Sequence, residues 1–165
     1  MINEPLRLIG FNPGTRYMGI TIFMGSELRE WRIKIFSGKW SKDKMEKIKK
    51  IILDFIELYN PNILAIKKLH SSRSSQSLKN LIVRLKDICR RKGLKLYQYS
   101  IDDLEKFFVL EGKANKKNLV KIIASEYTDI FHELKREKEN KNPYYIRMFE
   151  AIALAAMCFH QLDNH

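Results

Sequence analysis

Residues 8–20 read Leu-Ile-Gly-Phe-Asn-Pro-Gly-Thr-Arg-Tyr-Met-Gly-Ile (LIGFNPGTRYMGI), and the reading of this stretch decides the fold. The apolar run over residues 6–11 (LRLIGF) predicts a buried strand, and Asn12-Pro13-Gly14 ends it in a turn. Residues 19–24 (GITIFM) are β-branched and apolar, a second strand closed by Gly25-Ser26. Residues 30–36 alternate polar and apolar side chains (Trp31, Ile33, Ile35), so a third strand with one wet face follows. Three strands joined by short turns make an antiparallel meander.

Outward from the meander the hydrophobic period changes. Met45, Ile48, Ile51, Ile52, Phe55, Ile56 and Tyr59 recur at three- and four-residue steps, which predicts an amphipathic helix over 42–59, stopped by Asn60-Pro61. Residues 62–66 (NILAI) read as a short buried strand, and a serine-rich loop follows over 70–77. Leu78, Leu81, Ile82, Leu85 and Ile88 mark a second helix ending near Gly93, and 94–99 form a fifth strand. Ser100 suits the N-cap of a short helix over 101–108. A basic loop, Gly112-Lys-Ala-Asn-Lys-Lys, opens a helix running to Tyr127, and 133–142 read as a solvated helix end or loop. Residues 148–162 are almost all apolar and small, a helix buried against the sheet. The order β-β-β-α-β-α-β-α-α-α predicts a single α/β domain over 1–165: three layers, a five-stranded mixed sheet with helices on both faces. This order fits the ribonuclease-H-like fold.

Composition narrows the function classes. With 45% hydrophobic and 30% charged residues, the chain can bury a core and keep a soluble surface. No apolar run approaches the roughly 20 residues of a membrane span, and the first ten residues lack the pattern of an export signal. A cytoplasmic, nucleoid-associated protein without a membrane partner is the expectation. Cys89 and Cys158 stand far apart and read as reduced core thiols; His70, His132, His160 and His165 show no metal spacing. The informative number is charge: 31 Lys+Arg against 19 Asp+Glu leaves +12, and the pI is 9.7. A small domain so basic points to a polyanionic partner, above all nucleic acid, rather than a small-molecule substrate.

The turn at 12–16 resembles the opening of the RuvC-type Holliday-junction resolvases, whose first strand ends in Asp-Pro-Gly-Ser/Thr-Arg. The resemblance continues in order through Ala65-Ile-Lys-Lys, where the family has Ala-Ile-Glu. It then passes Gly112-Lys-Ala-Asn-Lys, similar to Gly-x-Ala-x-Lys, and reaches Glu150-Ala-Ile-Ala-Leu-Ala, similar to Asp-Ala-Leu-Ala. It implies a fold built for phosphodiester hydrolysis, in which four carboxylates hold two Mg²⁺ ions. In this chain the four positions are Asn12, Lys67, Arg147 and Glu150, and Glu150 alone is acidic. Four negative charges become a net single positive one. At about 4 Å and an effective dielectric near 20, each unit pair is worth about 4 kcal/mol, so the change is severe. The expectation is a catalytically inactive pseudo-resolvase with no metal cofactor, in which Lys67 and Arg147 replace the ions and Glu150 is their counter-ion. The alternative is an active metal-dependent junction endonuclease with a non-standard site. Among other acids, Asp102 reads as a helix N-cap, and Glu105 and Glu111 as members of surface ion pairs.

Binding remains where hydrolysis is lost. The resemblance implies branched DNA as partner, held by basic loops: Arg16 after the first turn, Arg73 and Lys79 flanking the serine-rich loop, and Lys113, Lys116 and Lys117 in the basic loop. It also implies a homodimer through the helix over 76–91, although the stripe from Leu78 to Ile88 is equally what a core-facing helix carries. An ATP-binding protein of the actin and sugar-kinase type shares the glycine turn, but needs two such domains.

Overall fold

The opening meander forms at one side of a five-stranded sheet. In the computed structural model, which describes residues 4–14, 16–36, 38–70, 75–130 and 144–163, β1 (Arg7–Asn12), β2 (Tyr17–Met24) and β3 (Glu27–Ile35) pair antiparallel. β4 (Ile63–Lys67) lies parallel to the other side of β1, with β5 (Lys95–Tyr99) beyond it, so the order is β3-β2-β1-β4-β5. Parallel pairing needs crossovers, and two helices supply them: α1 (Lys42–Tyr59) and α2 (Gln76–Lys92). The chain then continues through α3 (Ile101–Phe108), α4 (Lys116–Glu126), a 3₁₀ turn at Thr128–Ile130 and α5 (Tyr144–Asp163). The α/β class, the mixed sheet and the three layers expected from sequence are all present.

The period-2 alternation of β1 separates the two cores. Ile9 and Phe11 point to the face covered by α1 and α2, with Ile48, Ile52, Leu81 and Leu85. Leu8 points to the opposite face, with Phe149, Ile152 and Leu104 of α5 and α3. Gly10 shares that second face. A Cβ at Gly10 would stand 2.1 Å from the Ala151 carbonyl oxygen, and one at Gly19 would stand 2.3 Å from that of Arg147. The absent side chains let α5 lie directly on β1 and β2. Thr21 fixes the contact by donating its hydroxyl to the Ala151 carbonyl at 3.2 Å.

Element ends follow their caps. Ser41, Ser75, Ser100 and Asn115 each accept a backbone N–H in the first turn of α1, α2, α3 and α4. Asn60 and Gly93 close α1 and α2 in the left-handed region. Some boundaries differ from the sequence reading. β1 runs on to Asn12 and β2 begins at Tyr17, because the reversal is confined to the residues between them. β3 begins at Glu27, α5 begins at Tyr144, and the 3₁₀ turn has no clear sequence signal. The segment 133–142 lies outside the described residues, as do His132 and His165.

Two further expectations meet the structure here. On α2, Leu81, Ile82, Leu85 and Ile88 are buried and Leu78 packs against the same cluster, so the apolar stripe belongs to the core of its own chain. Cys89 and Cys158 are buried and free on opposite faces of the sheet; burial pushes the Cys89 thiol up to about 11 and raises that of Cys158. Among the described residues, no helix is long and apolar enough to cross a membrane.

Candidate functional site

Small side chains on one face of the central strands decide where the site lies. Gly10 and Ala65 are register partners on β1 and β4 under α5, and the next residues along that face are Asn12 and Lys67. Both therefore meet the first turns of α5, where Arg147 and Glu150 project. Glu150 is 2% exposed, and a carboxylate so deeply buried needs partners. Its Oε2 accepts from Asn12 Nδ2 at 2.9 Å and from Lys67 Nζ at 3.1 Å. Lys116 Nζ stands 4.0 Å from Oε1. The carboxylate is thus bracketed by an amide and two ammonium groups.

Asn12 is oriented by this arrangement. Its amide Nδ2 also reaches the Arg147 carbonyl oxygen at 3.4 Å, and turning the amide over would set an acceptor against the carboxylate. Its Oδ1 is buried and without a hydrogen-bond partner. Arg147 does not pair with Glu150, contrary to the counter-ion reading. Its Nη1 donates to the Pro13 carbonyl at 3.0 Å, and so the guanidinium ties α5 to the turn after β1. That side chain also limits Gly14, where a Cβ would lie 3.2 Å from Nη1.

The acids outside this cluster behave differently from the sequence reading. Ser100 caps α3 and Asp103 completes the capping box, while Asp102 pairs with Lys106 at 2.8 Å on the surface. The Asp103 carboxyl is held below its ordinary range, first by the Ser100 backbone N–H. Glu105 is half-buried and forms none of the described ion pairs. Its carboxyl is raised by burial, then by Asp102, with Glu150 adding and Lys116 and Lys67 opposing. Glu105 is therefore electrostatically coupled to the cluster, which its place in a basic stretch of sequence did not suggest. Glu111 is exposed and also lacks an ion pair among the described residues.

Above the cluster opens a groove of about 850 Å³. Its walls carry the cations Lys67, Lys68, Lys116 and Arg147 and one acid, Asp102. Lys68 is placed by its backbone N–H, which extends the β4–β5 pairing to the Tyr99 carbonyl at 2.8 Å. Lys116 opens α4 behind the Asn115 cap, where no acid occupies the first turn; positive charge there opposes the helix dipole. Leu69, His70, Ser75 and Leu78 complete the side nearest α2.

The expected DNA-contacting residues divide accordingly. Lys116 lines the groove; Lys113 and Lys117 are exposed beside it at the start of α4. Arg16 is exposed after the first turn, and Lys79 is half-buried next to Leu78. Arg73 lies outside the described residues. The sequence reading passed over Lys68 and His70 as groove residues. Their signal was position alone, directly after a strand whose last residue is Lys67.

No family model matches the chain, and no curated protein matches it. Solved structures do. Thermus thermophilus RuvC in complex with a Holliday junction substrate is 14% identical, with a TM-score of 0.71 over 96% of each chain. The fowlpox virus resolvase, solved with Holliday junction DNA, is 16% identical, with a TM-score of 0.61 over 95% of this chain and 99% of that one. The yeast mitochondrial Holliday junction resolvase is 14% identical, with a TM-score of 0.61 over 100% of this chain and 83% of that one. At such identities the likeness is one of fold: this chain has the ribonuclease-H-like resolvase fold.

Proposed function

We propose that this protein binds branched DNA, with four-way junctions as its preferred form, in the basic groove above Glu150, and that it does not cleave what it binds. The observation that carries the reading is the state of the one carboxylate at the four positions that the RuvC resemblance equates with metal ligands. Glu150 is buried and engaged by Lys67 at 3.1 Å and Asn12 at 2.9 Å. A pair of Mg²⁺ ions requires several anionic oxygens in octahedral array. This donor set offers one carboxylate, one amide and two cations, and an ammonium already holds the position a dication would need. The residues do not fit a metal pair. Glu105 adds a second acid, but Lys67 and Lys116 act on both carboxylates, so the acids stay matched by cations.

What suits hydrolysis badly suits phosphate binding well. Lys68, Lys116 and Arg147 present charge to the groove without metal, and cations contribute affinity through counterion release. Resolvases of the same fold have been solved on Holliday junctions, which favours a branched ligand over a linear one. All these groups come from one chain, so the reading does not depend on the homodimer that the resemblance implies.

The test is a Lys68→Gln/Lys116→Gln double variant titrated against a labelled four-way junction and a linear duplex in EDTA. Both side chains are exposed, and Lys67 and Asn12 still engage Glu150, so the fold is expected to persist, which thermal unfolding of the variant checks. Loss of two charge-assisted contacts is expected to weaken junction binding by at least about tenfold and duplex binding less. Unchanged junction affinity would remove the groove from the binding surface.

A further inference from the structure

From the charge on α2 we infer a second nucleic-acid contact: its outward face is a track for the phosphate backbone of a duplex arm leaving the groove. This deepens the proposed function and rests on it for the anchoring of the arm in the groove.

α2 carries six cations, Lys79, Arg84, Lys86, Arg90, Arg91 and Lys92, against one acid, Asp87. It therefore supplies five of the chain's twelve net positive charges. Neighbouring α1 sits on the same sheet face with five cations and four acids, so lysine-rich composition alone does not produce such an imbalance. At 100° per residue, the cations from Lys79 to Arg91 fall within an arc of about 160° opposite the buried stripe. Arg84, Lys86, Arg90 and Arg91 are exposed. Arg90 and Arg91 both pair with Asp87, yet their side chains remain 81% and 71% exposed. Such exposed pairs are weak, and a phosphate can take the place of Asp87.

Geometry connects this face to the groove. Ser75 and Leu78, at the start of α2, line the groove. From there the helix runs about 25 Å, the length of about seven base pairs of duplex. A duplex arm anchored in the groove can follow it. Contact with a second copy fits less well. The apolar stripe is already in the core, and the outer face offers Val83 as its exposed large apolar side chain. A two-fold seam would bring like charges together.

Two triple variants, each lowering net charge by three, test the assignment: Arg84→Gln/Lys86→Gln/Arg90→Gln on α2, and Lys42→Gln/Lys47→Gln/Lys50→Gln on α1. All six positions are exposed. The dependence of log affinity on log salt is measured for wild type and both variants, on a four-way junction and on linear duplex. The α2 variant is expected to lose about 0.9 of slope per contact removed, about 2.7 in full, and the α1 variant less than about 1. Equal losses in the two variants, or none in either, would overturn the inference. So would a free wild-type dimer whose association tightens in the α2 variant, since the face would then be a self-contact. Loss of junction preference with the α2 difference intact would overturn the proposed function alone. A wild-type chain that binds neither DNA would overturn both.

Discussion

Glu150 is the residue on which the account turns, because a buried carboxylate must be matched by something. Here an ammonium and an amide match it. Removing one member of a buried pair leaves the other uncompensated, which ordinarily costs about 3–5 kcal/mol. The Lys67 side chain is 20% exposed and Lys116 stands 4.0 Å away, so the penalty is moderated. Lys67→Met is expected to destabilise the protein by about 2–4 kcal/mol in urea unfolding. The double change Lys67→Met/Glu150→Gln is expected to recover most of it, since neither partner is then left charged. A cost below about 1 kcal/mol for the single variant would show that the pair is not what holds the site.

The site's residues were legible to different degrees, and the reason is physical. Asn12, Lys67 and Glu150 each sit in a short sequence pattern tied to a strand end or helix start, so position could be read locally. The partner of Arg147 could not. Its bond to Pro13 spans 134 residues and depends on how far α5 extends toward the turn. Glu105 was misread for a similar reason: beside Asp102 of its own helix, the charges that act on it come from Lys116, Glu150 and Lys67, which are distant in sequence.

At the scale of elements, contact between α5 and the sheet is the feature that positions the site. Gly10→Ala would drive a methyl group against the backbone of Ala151, with no flexible side chain able to yield. The expected loss is at least about 3 kcal/mol, above the usual cost of overpacking, measured by thermal or urea unfolding. A near-neutral result would mean that α5 lies farther from β1 than described. A smaller element effect concerns α3. Ser100→Ala removes a cap worth about 1 kcal/mol. The folded state also depresses the Asp103 carboxyl, so that contribution is present above the ordinary carboxylate range and fades as pH falls through the depressed folded value. Ser100→Ala leaves that backbone N–H in place, so the pH test is Asp103→Ala, which should destabilise more at pH 7 than at pH 2.5.

Most elements were readable because their signals are local. The α1 stripe and the Asn60-Pro61 stop give the helix observed at Lys42–Tyr59. The pattern Ser100-x-x-Asp103 is a capping box, which leaves Asp102 exposed rather than capping. Helix α5 begins at Tyr144, earlier than its apolar run, and Arg147 in its first turns lines the groove instead of the core. On α2 the sequence could not separate core from dimer seam, since both want the same periodicity; in the fold the stripe packs on the sheet beneath it.

Across the whole molecule, charge is distributed unevenly in a way that the net value of +12 conceals. One concentration lies around the groove and another along α2, while α1 is nearly balanced. A fold shared with junction resolvases thus carries a cation-rich surface around a buried carboxylate engaged by Lys67 and Asn12. Binding that relies on resident cations is expected to need no divalent metal, and to weaken as monovalent salt or Mg²⁺ competes for the phosphates.

The most direct test uses a labelled synthetic four-way junction and a linear duplex of equal length, incubated with the wild-type protein in EDTA, Mg²⁺ or Mn²⁺ at fixed ionic strength and resolved on native and denaturing gels. The account predicts a junction-selective shift in all three conditions, EDTA included, and intact strands in each. Symmetric nicks that appear with Mg²⁺ or Mn²⁺ and vanish in EDTA would contradict it.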